Sequence, residues 1–374
     1  VRHDDVRRTA WEAGARLRIP LGGGKTYAAL GPQARRMAER IERDIDIVSA
    51  PSGPEPVADA ITGVAFDRVG TTADNGNSVT DASNAAGANA LVVATGTIAG
   101  AQTQQGNQTL QGGGSTIQVR GQRSGTVAGF TAPGAAATLN APGNAVNLTL
   151  AGSNTHVAGL AIQGAGAGNV NNHGISGGAN KSNIAVTQTA MANTGGVGIV
   201  FGSSNSNVTI SGTTITDAAG VGGIVFQSNN SNVTIFSTTI TDTTGDNGID
   251  FLDGNSNVTI ANATIANTTS SGIEFRNNNS NVMISGTTVT NAGGDGLSLS
   301  NGNSVALNNS VLAGTFGSDG VQITAVGNTL SGSGNTAAGA TFAAGVFCNA
   351  VAGQTGSFGF VDRGAALPTP GTCP

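Results

Sequence analysis

The chain of 374 residues is poor in charge and rich in glycine, with 10% charged residues, 4% aromatic residues and 59 glycines. A disordered chain would carry much more charge and an ordinary globular enzyme more aromatic side chains, so the composition favours neither class. Eleven of the 16 basic residues precede residue 71, and from residue 80 onward five basic side chains stand against ten acidic ones. Such a surface offers no positive stripe to a nucleic acid, and we expect no nucleic-acid partner.

Strict alternation marks the segment from Thr9 to Leu21. Every odd position from Trp11 to Leu21 is apolar, and the even positions from Glu12 to Arg18 are charged or glycine. This pattern is typical of an outer-membrane barrel strand, apolar towards lipid and polar towards the lumen, but an amphipathic strand of a soluble sheet has it too. The only Trp and the only Tyr, Trp11 and Tyr27, flank the segment, where interfacial aromatic residues are expected. We assign residues 1–30 to the C-terminal remnant of a barrel.

Residues 31–80 are expected to form a helix and a proline-rich linker. Helical spacing relates five apolar residues: Ala34, Met37, Ala38, Ile41 and Ile45. Pro32 suits a first turn, and Glu39 and Arg43 are placed to pair at i, i+4. The helix could thread a barrel lumen or lie on a soluble surface. Three prolines, Pro51, Pro54 and Pro56, open the linker.

The order of alternating strand, glycine-rich turn and the sequence RRMAERIERDIDIV resembles the C-terminal end of an inverse autotransporter barrel, of the intimin and invasin type. The resemblance covers residues 9–48. In that family of type V secretion proteins the barrel comes first and the exported passenger follows it through the pore. The resemblance therefore implies attachment to the bacterial outer membrane. Intimin and invasin carry immunoglobulin-like modules where this chain carries a repeat.

The repeat extends from Gly198 to Gly320 at intervals of 25, 25, 24 and 24 residues. Its lines begin with similar tetrapeptides, those at Gly198, Gly223, Gly248, Gly272 and Gly296, and the first four continue with Ser-Asn-Val and an alternating run. A fixed period of this length indicates a solenoid. Each line holds three runs of period two, which predict three short strands, and no helix-length segment lies between them.

We therefore predict an all-β fold, a right-handed parallel β-helix with three short strands per coil of 24–25 residues, over residues 81–345. In the line at Gly223 five side chains should point inward: Ile224, Phe226, Val233, Ile235 and Ile240. Like residues stack on like in such a fold, which predicts two structural asparagine columns. One contains Asn205, Asn230, Asn255, Asn279 and Asn303, and the other contains Asn183, Asn207, Asn232, Asn257 and Asn281.

Candidate chemistry is confined to one outward column: Val200, Val225, Asp250, Glu274, Ser298 and Gln322. Asp250 and Glu274 should lie one coil apart, with Arg276 on the same face, as a weak catalytic candidate or as a neutralised structural cluster. At a neighbouring turn Asp246, Asp295 and Asp319 are weak candidates for calcium, the one cofactor considered.

Other polar residues are interpreted as structural. His156 and His173 have no carboxylate at a suggestive spacing and are expected at the surface or in turns. The rows Thr214-Ile215-Thr216, Thr239-Ile240-Thr241 and Thr288-Val289-Thr290 allow an ice-binding or structural solenoid as a minor alternative.

Two cysteines, Cys348 and Cys373, fall in the proposed C-terminal cap, residues 346–374, and predict a disulfide and an oxidising compartment. We expect a surface-displayed or secreted passenger located at the outer membrane, on the cell surface or outside the cell, a non-enzymatic adhesin or stalk that binds glycans or a cell-surface receptor. The alternative is a polysaccharide lyase or glycoside hydrolase, because pectate lyases and polygalacturonases have the same fold.

Overall fold

A computed structural model describes residues 2–4, 8–10, 54–72, 77–350, 355–362 and 365–366. The chain divides into two units, residues 1–55 and 56–374. In the first unit, the strands Arg2–Asp4 and Arg8–Ala10 pair antiparallel. Beyond Ala10, the predicted barrel strand lies outside the described residues, and so does the predicted helix. Both stay predictions.

The second unit is a right-handed parallel β-helix whose described residues form three long sheets, and each regular coil between Thr155 and Ile323 contributes one strand to each sheet in turn. Within the described residues sheet 1 has 13 strands: Arg68–Thr72, Ala90–Ala94, Gln108–Gly112, Thr155–Ala158, Ser182–Thr187, Ser206–Ser211, Ser231–Phe236, Ser256–Ala261, Ser280–Ser285, Ser304–Asn308, Thr329–Asn335, Phe358–Phe360 and Ala365–Ala366. Sheet 2 has nine: Gly96–Ala99, Ala137–Asn140, Leu160–Gln163, Ala190–Ala192, Thr214–Thr216, Thr239–Thr241, Thr264–Thr268, Thr288–Ala292 and Val311–Ala313. Sheet 3 has ten: Gln102–Gln104, Leu148–Leu150, Ile175–Gly178, Ile199–Phe201, Gly222–Phe226, Asn247–Asp253, Ile273–Asn277, Leu297–Asn301, Val321–Ile323 and Phe347–Asn349.

The core consists of the inward columns of these sheets. All five side chains predicted to point inward in the coil at Gly223 are fully buried. Phe201, Phe226, Phe251 and Phe275 stack face to face, with ring centroids 4.9–5.1 Å apart. The parallel register places each ring above its equivalent in the next coil, so the fold prediction is confirmed.

Both predicted asparagine columns form hydrogen-bonded ladders. In the buried ladder, the backbone N–H and the side-chain amide of Asn230 both donate to Oδ1 of Asn255, at 2.9 and 3.0 Å. In the exposed ladder, Nδ2 of Asn257 donates to Oδ1 of Asn232 at 3.0 Å, and Asn257 has a φ of 53°. The exposed ladder places its asparagines in the left-handed backbone region that this residue tolerates.

The structure differs from the predicted linker over residues 57–72 and 77–80. Strand Arg68–Thr72 pairs parallel with Ala90–Ala94 as the first strand of sheet 1. Helix α1, Val79–Ala86, starts at the N-cap Ser78 and buries Val79, Ala82 and Ala86 against the core. The physical reason is that the first coil of a solenoid exposes apolar core, which a cap must cover.

An antiparallel sheet covers the outer face of sheet 1 at the same end of the β-helix. Its strands are Val57–Asp59, Thr116–Gly121 and Val127–Thr131. Ile117 of this sheet packs with Leu91 and Val93, whose neighbours along the strand point into the main core. We call this sheet the side cap. It forms a second, smaller hydrophobic cluster outside the β-helix core.

At the other end, the β-helix continues past the predicted boundary at residue 345. Phe347–Asn349 pairs in parallel with Val321–Ile323, and Phe347 packs edge to face on Phe358. A short parallel pair, Thr315–Phe316 and Thr341–Phe342, lies beside these coils. Cys373 lies outside the described residues, so the disulfide stays a prediction.

Candidate functional site

The predicted column of candidate chemistry lies in register along sheet 3. Asp250 pairs with Val225 on one side and with Glu274 on the other, and Glu274 pairs with Ser298. The column is less open than its outward position suggests, because Val225, Asp250 and Ser298 are buried.

Arg276 joins the two carboxylates, as the sequence predicted. Its Nη2 and Nε donate to Oδ2 and Oδ1 of Asp250 at 2.8 and 3.3 Å, and its Nη2 lies 3.6 Å from Oε2 of Glu274. Asn247, which the sequence did not single out, donates from Nδ2 to the same Glu274 oxygen at 2.6 Å. The four side chains, which we call the sheet 3 patch, therefore use one another as partners.

Burial dominates the electrostatics of this patch. It raises the pKa of Asp250 to about 6, although the hydrogen bond and the charge of Arg276 act in the opposite direction. A carboxyl group with a pKa near neutrality, beside a second carboxylate and a guanidinium, is able to exchange a proton with a bound ligand. The bidentate contact with Arg276 is equally suited to neutralise a stacked acidic pair.

The three calcium candidates do not share one column. Asp319 donates its backbone N–H to Oδ1 of Asp295 at 3.0 Å, and both carboxyl groups are buried, which raises their pKa. The equivalent hydrogen bond one coil before Asp295 is donated by the backbone N–H of Ser271 to Oδ1 of Asn247. Asn247 therefore occupies the column of Asp295 and Asp319, and Asp246 lies one position away from it along the chain. Among the described residues no group of three or more His, Cys, Asp or Glu is placed to hold a metal ion.

The prediction for His156 was wrong, because its side chain is buried. Nδ1 lies 2.6 Å from Oδ2 of Asp59, and Nε2 lies 2.7 Å from Oγ1 of Thr187. Asp59 also accepts from Oγ1 of Thr109 at 2.9 Å. The partners Asp59 and His156 are 97 residues apart, so no local pattern could have revealed the contact. His173 does lie in a turn, where Nδ1 accepts the backbone N–H of Val197 at 2.9 Å.

Burial and hydrogen bonding oppose each other at Asp59. Burial raises its pKa, but the hydrogen bond and electrostatic attraction of His156, together with the N–H groups of Thr62 and Ile61, outweigh it and lower the pKa to about 2. Asp59 belongs to the side cap and His156 to sheet 1. This pair therefore fastens the side cap to the β-helix.

The ladders, the three parallel sheets and the capped ends define a right-handed parallel β-helix protein. The chain belongs to the family described as right handed beta helix region, whose sequence pattern matches residues 135–316 and 223–355. No curated protein matches it in sequence.

Several solved structures have a similar fold. The polygalacturonase of Erwinia carotovora ssp. carotovora aligns with a TM-score of 0.50 at 12% identity, over 81% of this chain and 98% of that chain. The Streptococcus pneumoniae surface adhesin PfbA aligns at 0.47 and 11% identity, over 74% and 86%. The periplasmic alginate epimerase AlgG aligns at 0.40 and 13%, over 71% and 72%. At these identities the likeness shows the fold alone. Within the described residues no helix has the length and apolar character needed to cross a bilayer.

Proposed function

We propose that the chain is a surface-displayed or secreted passenger of an autotransporter-like protein, and that its β-helix acts as an adhesin or stalk. The observation that carries this proposal is the continuity of the ladders. The buried asparagine ladder continues from Asn205 through Asn303 to Asn328 without a break, and the phenylalanine stack lies beside it. Identical contacts from coil to coil make a rigid rod, which suits a spacer that holds a binding surface away from a cell.

The chemistry of the sheet 3 patch is consistent with this proposal. Asp250 and Arg276 satisfy each other, and Asn247 satisfies Glu274. Because the members of this charged cluster are paired with one another, a structural role is enough to explain their presence. The low charge of the whole chain, 10%, leaves a polar surface of the type that contacts glycans through hydrogen bonds.

The N-terminal segment supports the location. Residues 9–48 resemble the end of an inverse autotransporter barrel, which would attach the chain to a bacterial outer membrane. To test this, intact Gram-negative cells producing the protein are treated with external protease and stained with an antibody against the β-helix. Staining that protease removes, while a periplasmic marker survives, is the expected result. Staining that appears only after the outer membrane is permeabilised would refute surface display.

An oxidising location also fits the predicted disulfide between Cys348 and Cys373. Peptide mapping of the exported protein under non-reducing conditions should give one linked peptide pair, which separates after reduction. Two unlinked cysteine peptides in the non-reduced sample would contradict this pairing.

A second candidate function is a polysaccharide lyase or glycoside hydrolase, and one observation favours it. Burial raises the pKa of Asp250 to about 6, and Asp250 lies one coil from Glu274, so a carboxyl group that exchanges a proton near neutral pH stands beside a second carboxyl group. Purified protein is incubated with polygalacturonate, alginate and neutral glucans. Turnover that disappears in Asp250→Asn and Glu274→Gln, with Asp253→Asn as an exposed control on the same strand, would establish this function. Absence of cleavage in all three polymers counts against it.

A further inference from the structure

A groove of about 260 Å³ lies on the outer face of sheet 1, where the side cap ends. One wall is Ile61, which is half-exposed and lies in the turn after the side-cap strand Val57–Asp59, and the other is Phe236. Thr187 and Ser211 lie between them. None of these residues belongs to the sheet 3 patch.

The groove lies at the point where the side cap stops covering one outward column of sheet 1. Ala158, Thr187, Ser211 and Phe236 stand in consecutive coils of that column. Ala158 is packed under the side cap, and Thr187 bonds to His156 at its edge. Strands in a sheet are about 4.8 Å apart, so Phe236 lies about 10 Å beyond Thr187. The space between them is open to solvent over Ser211.

Phe236 is the unusual member of this column. Its neighbours along the sheet, Ser211 and Ala261, are small, and 45% of its surface is exposed. A phenyl ring in such a position contributes little to the core, because the inward residue Ile235 already fills it. An exposed aromatic face beside a groove is a platform for the apolar face of a ligand.

Apart from Ile117 and Gly212, the remaining residues that line the groove are polar. Gln118 and Gln188 line the groove, both are exposed, and their side-chain amides take no part in the hydrogen bonds formed among the described residues. Ser211 and Ser237 add hydroxyl groups. Among the described residues that line the groove none is Asp, Glu, Lys or Arg, and His156 has both ring nitrogens engaged. A charged ligand would therefore lose hydration without gaining an opposite charge.

We propose that this groove binds a neutral pyranose unit of a glycan, with the sugar ring against Phe236 and its hydroxyls bonded to the amides of Gln118 and Gln188. Pockets for drug-sized ligands measure about 300–1,000 Å³, so the smaller volume of this groove suits a single sugar unit. The site rests on the proposed function as an adhesin, since it supplies the glycan contact that an adhesin needs.

The test uses the purified 374-residue chain and ligand-observed NMR titration, because one sugar unit binds weakly. The probes are the neutral methyl glycosides of glucose, galactose and mannose, with methyl glucuronide as the charged comparison. At least one neutral glycoside should bind, and glucuronide should bind at least about tenfold more weakly. Phe236→Ala should raise the Kd about tenfold, whereas Phe236→Tyr keeps the ring and should stay within about twofold.

A matched control is Met283→Ala. Met283 is as exposed as Phe236, at 46%, and lies on the same outer face two coils away. This variant should bind like the unchanged chain. The thermal transition of each variant shows that the fold is retained.

Three results would overturn the assignment: no binding by any neutral glycoside, equal loss of binding in Met283→Ala and Phe236→Ala, or preference for glucuronide. Light scattering that shows a dimer dissociated by Phe236→Ala would assign the groove to a second copy instead. Surface display is measured separately by protease treatment of cells. A displayed chain that binds no sugar would therefore refute this site and leave the passenger proposal standing.

Discussion

Asn255 and Asn257 lie two residues apart in one coil and should respond differently to substitution by glycine and by alanine. Asn255 is fully buried in the first ladder, and Asn257 is exposed in the second with a φ of 53°. The first residue is required for its hydrogen bonds and the second for its backbone conformation. Substituting each by Ala and by Gly separates the two roles.

The magnitude for Asn255 follows from its partners. Its Oδ1 accepts both the backbone N–H and Nδ2 of Asn230, and its Nδ2 donates to Gln227 O at 2.9 Å and to Asn279 Oδ1 at 3.0 Å. Removing the side chain leaves two buried donors of Asn230 without an acceptor. An unsatisfied buried group costs about 1–3 kcal/mol, so we expect either substitution to lower the free energy of unfolding by about 3 kcal/mol or more.

The expectation for Asn257 is smaller and depends on the replacement. Its side-chain bonds to Asn232 and Asn281 are exposed, so water replaces them. Gly adopts the left-handed conformation freely, and Asn257→Gly should cost less than about 1 kcal/mol. Asn257→Ala should cost about 1–2 kcal/mol more, from backbone strain.

Urea denaturation followed by circular dichroism measures these differences, and hydrogen exchange by mass spectrometry shows whether the loss is centred on the mutated coil. The decisive comparison is between the two glycine variants. Equal destabilisation by Asn255→Gly and Asn257→Gly, or a cost below about 1 kcal/mol for Asn255→Ala, would refute the assigned roles.

Three further predictions concern the core and two of the buried carboxyl groups, those of Asp250 and Asp59. Phe251→Ala should cost about 3–5 kcal/mol in urea denaturation, because its ring is stacked on both faces and fully buried, whereas Phe251→Leu should cost under about half of that. Burial raises the pKa of Asp250 in the folded chain from its ordinary value of 3.8 to about 6, so ionisation of Asp250 destabilises the fold as pH rises through that window, by about 3 kcal/mol at 1.36 kcal/mol per unit. Asp250→Asn should therefore gain stability relative to the unchanged chain between pH 4 and 7, and a pH-independent difference would contradict this. Asp59 has the opposite sign, since its pKa falls from 3.8 to about 2, and its stabilisation of about 2 kcal/mol is present above pH 4 and lost towards pH 2. Thermal transitions of Asp59→Asn should lie below those of the unchanged chain at pH 7 and meet them at pH 2, and two parallel pH curves would exclude the His156 contact as the cause.

The regular coils were predictable from sequence because their contacts repeat. Inward Ile224 and Phe226 recur one coil later as Ile249 and Phe251, and in a parallel register each residue lies on its equivalent. The same logic placed Asp250 beside Glu274, and it placed Arg276 on the face where the structure finds it. Residues one period apart in the sequence are therefore neighbours in adjacent coils.

Changes in turn length limited which side chains the repeat could assign to a column. Asp246 and Asp295 both precede a glycine closely, but one extra residue, Asn247, separates Asp246 from its glycine. A shift of one position moves a side chain into a different column, and the proposed calcium ligands separate for that reason.

The repeat alone determined the sheets, the ladders and the order of the core. Only the tertiary structure decided that residues 57–72 belong to the capped end of the β-helix and not to the predicted linker. The contact of Asp59 with His156 and the groove between Ile61 and Phe236 follow from that packing. Both bring together segments that are about 100 residues or more apart in the chain. Each of these contacts occurs once and does not repeat from coil to coil, so the period of the sequence could not reveal it.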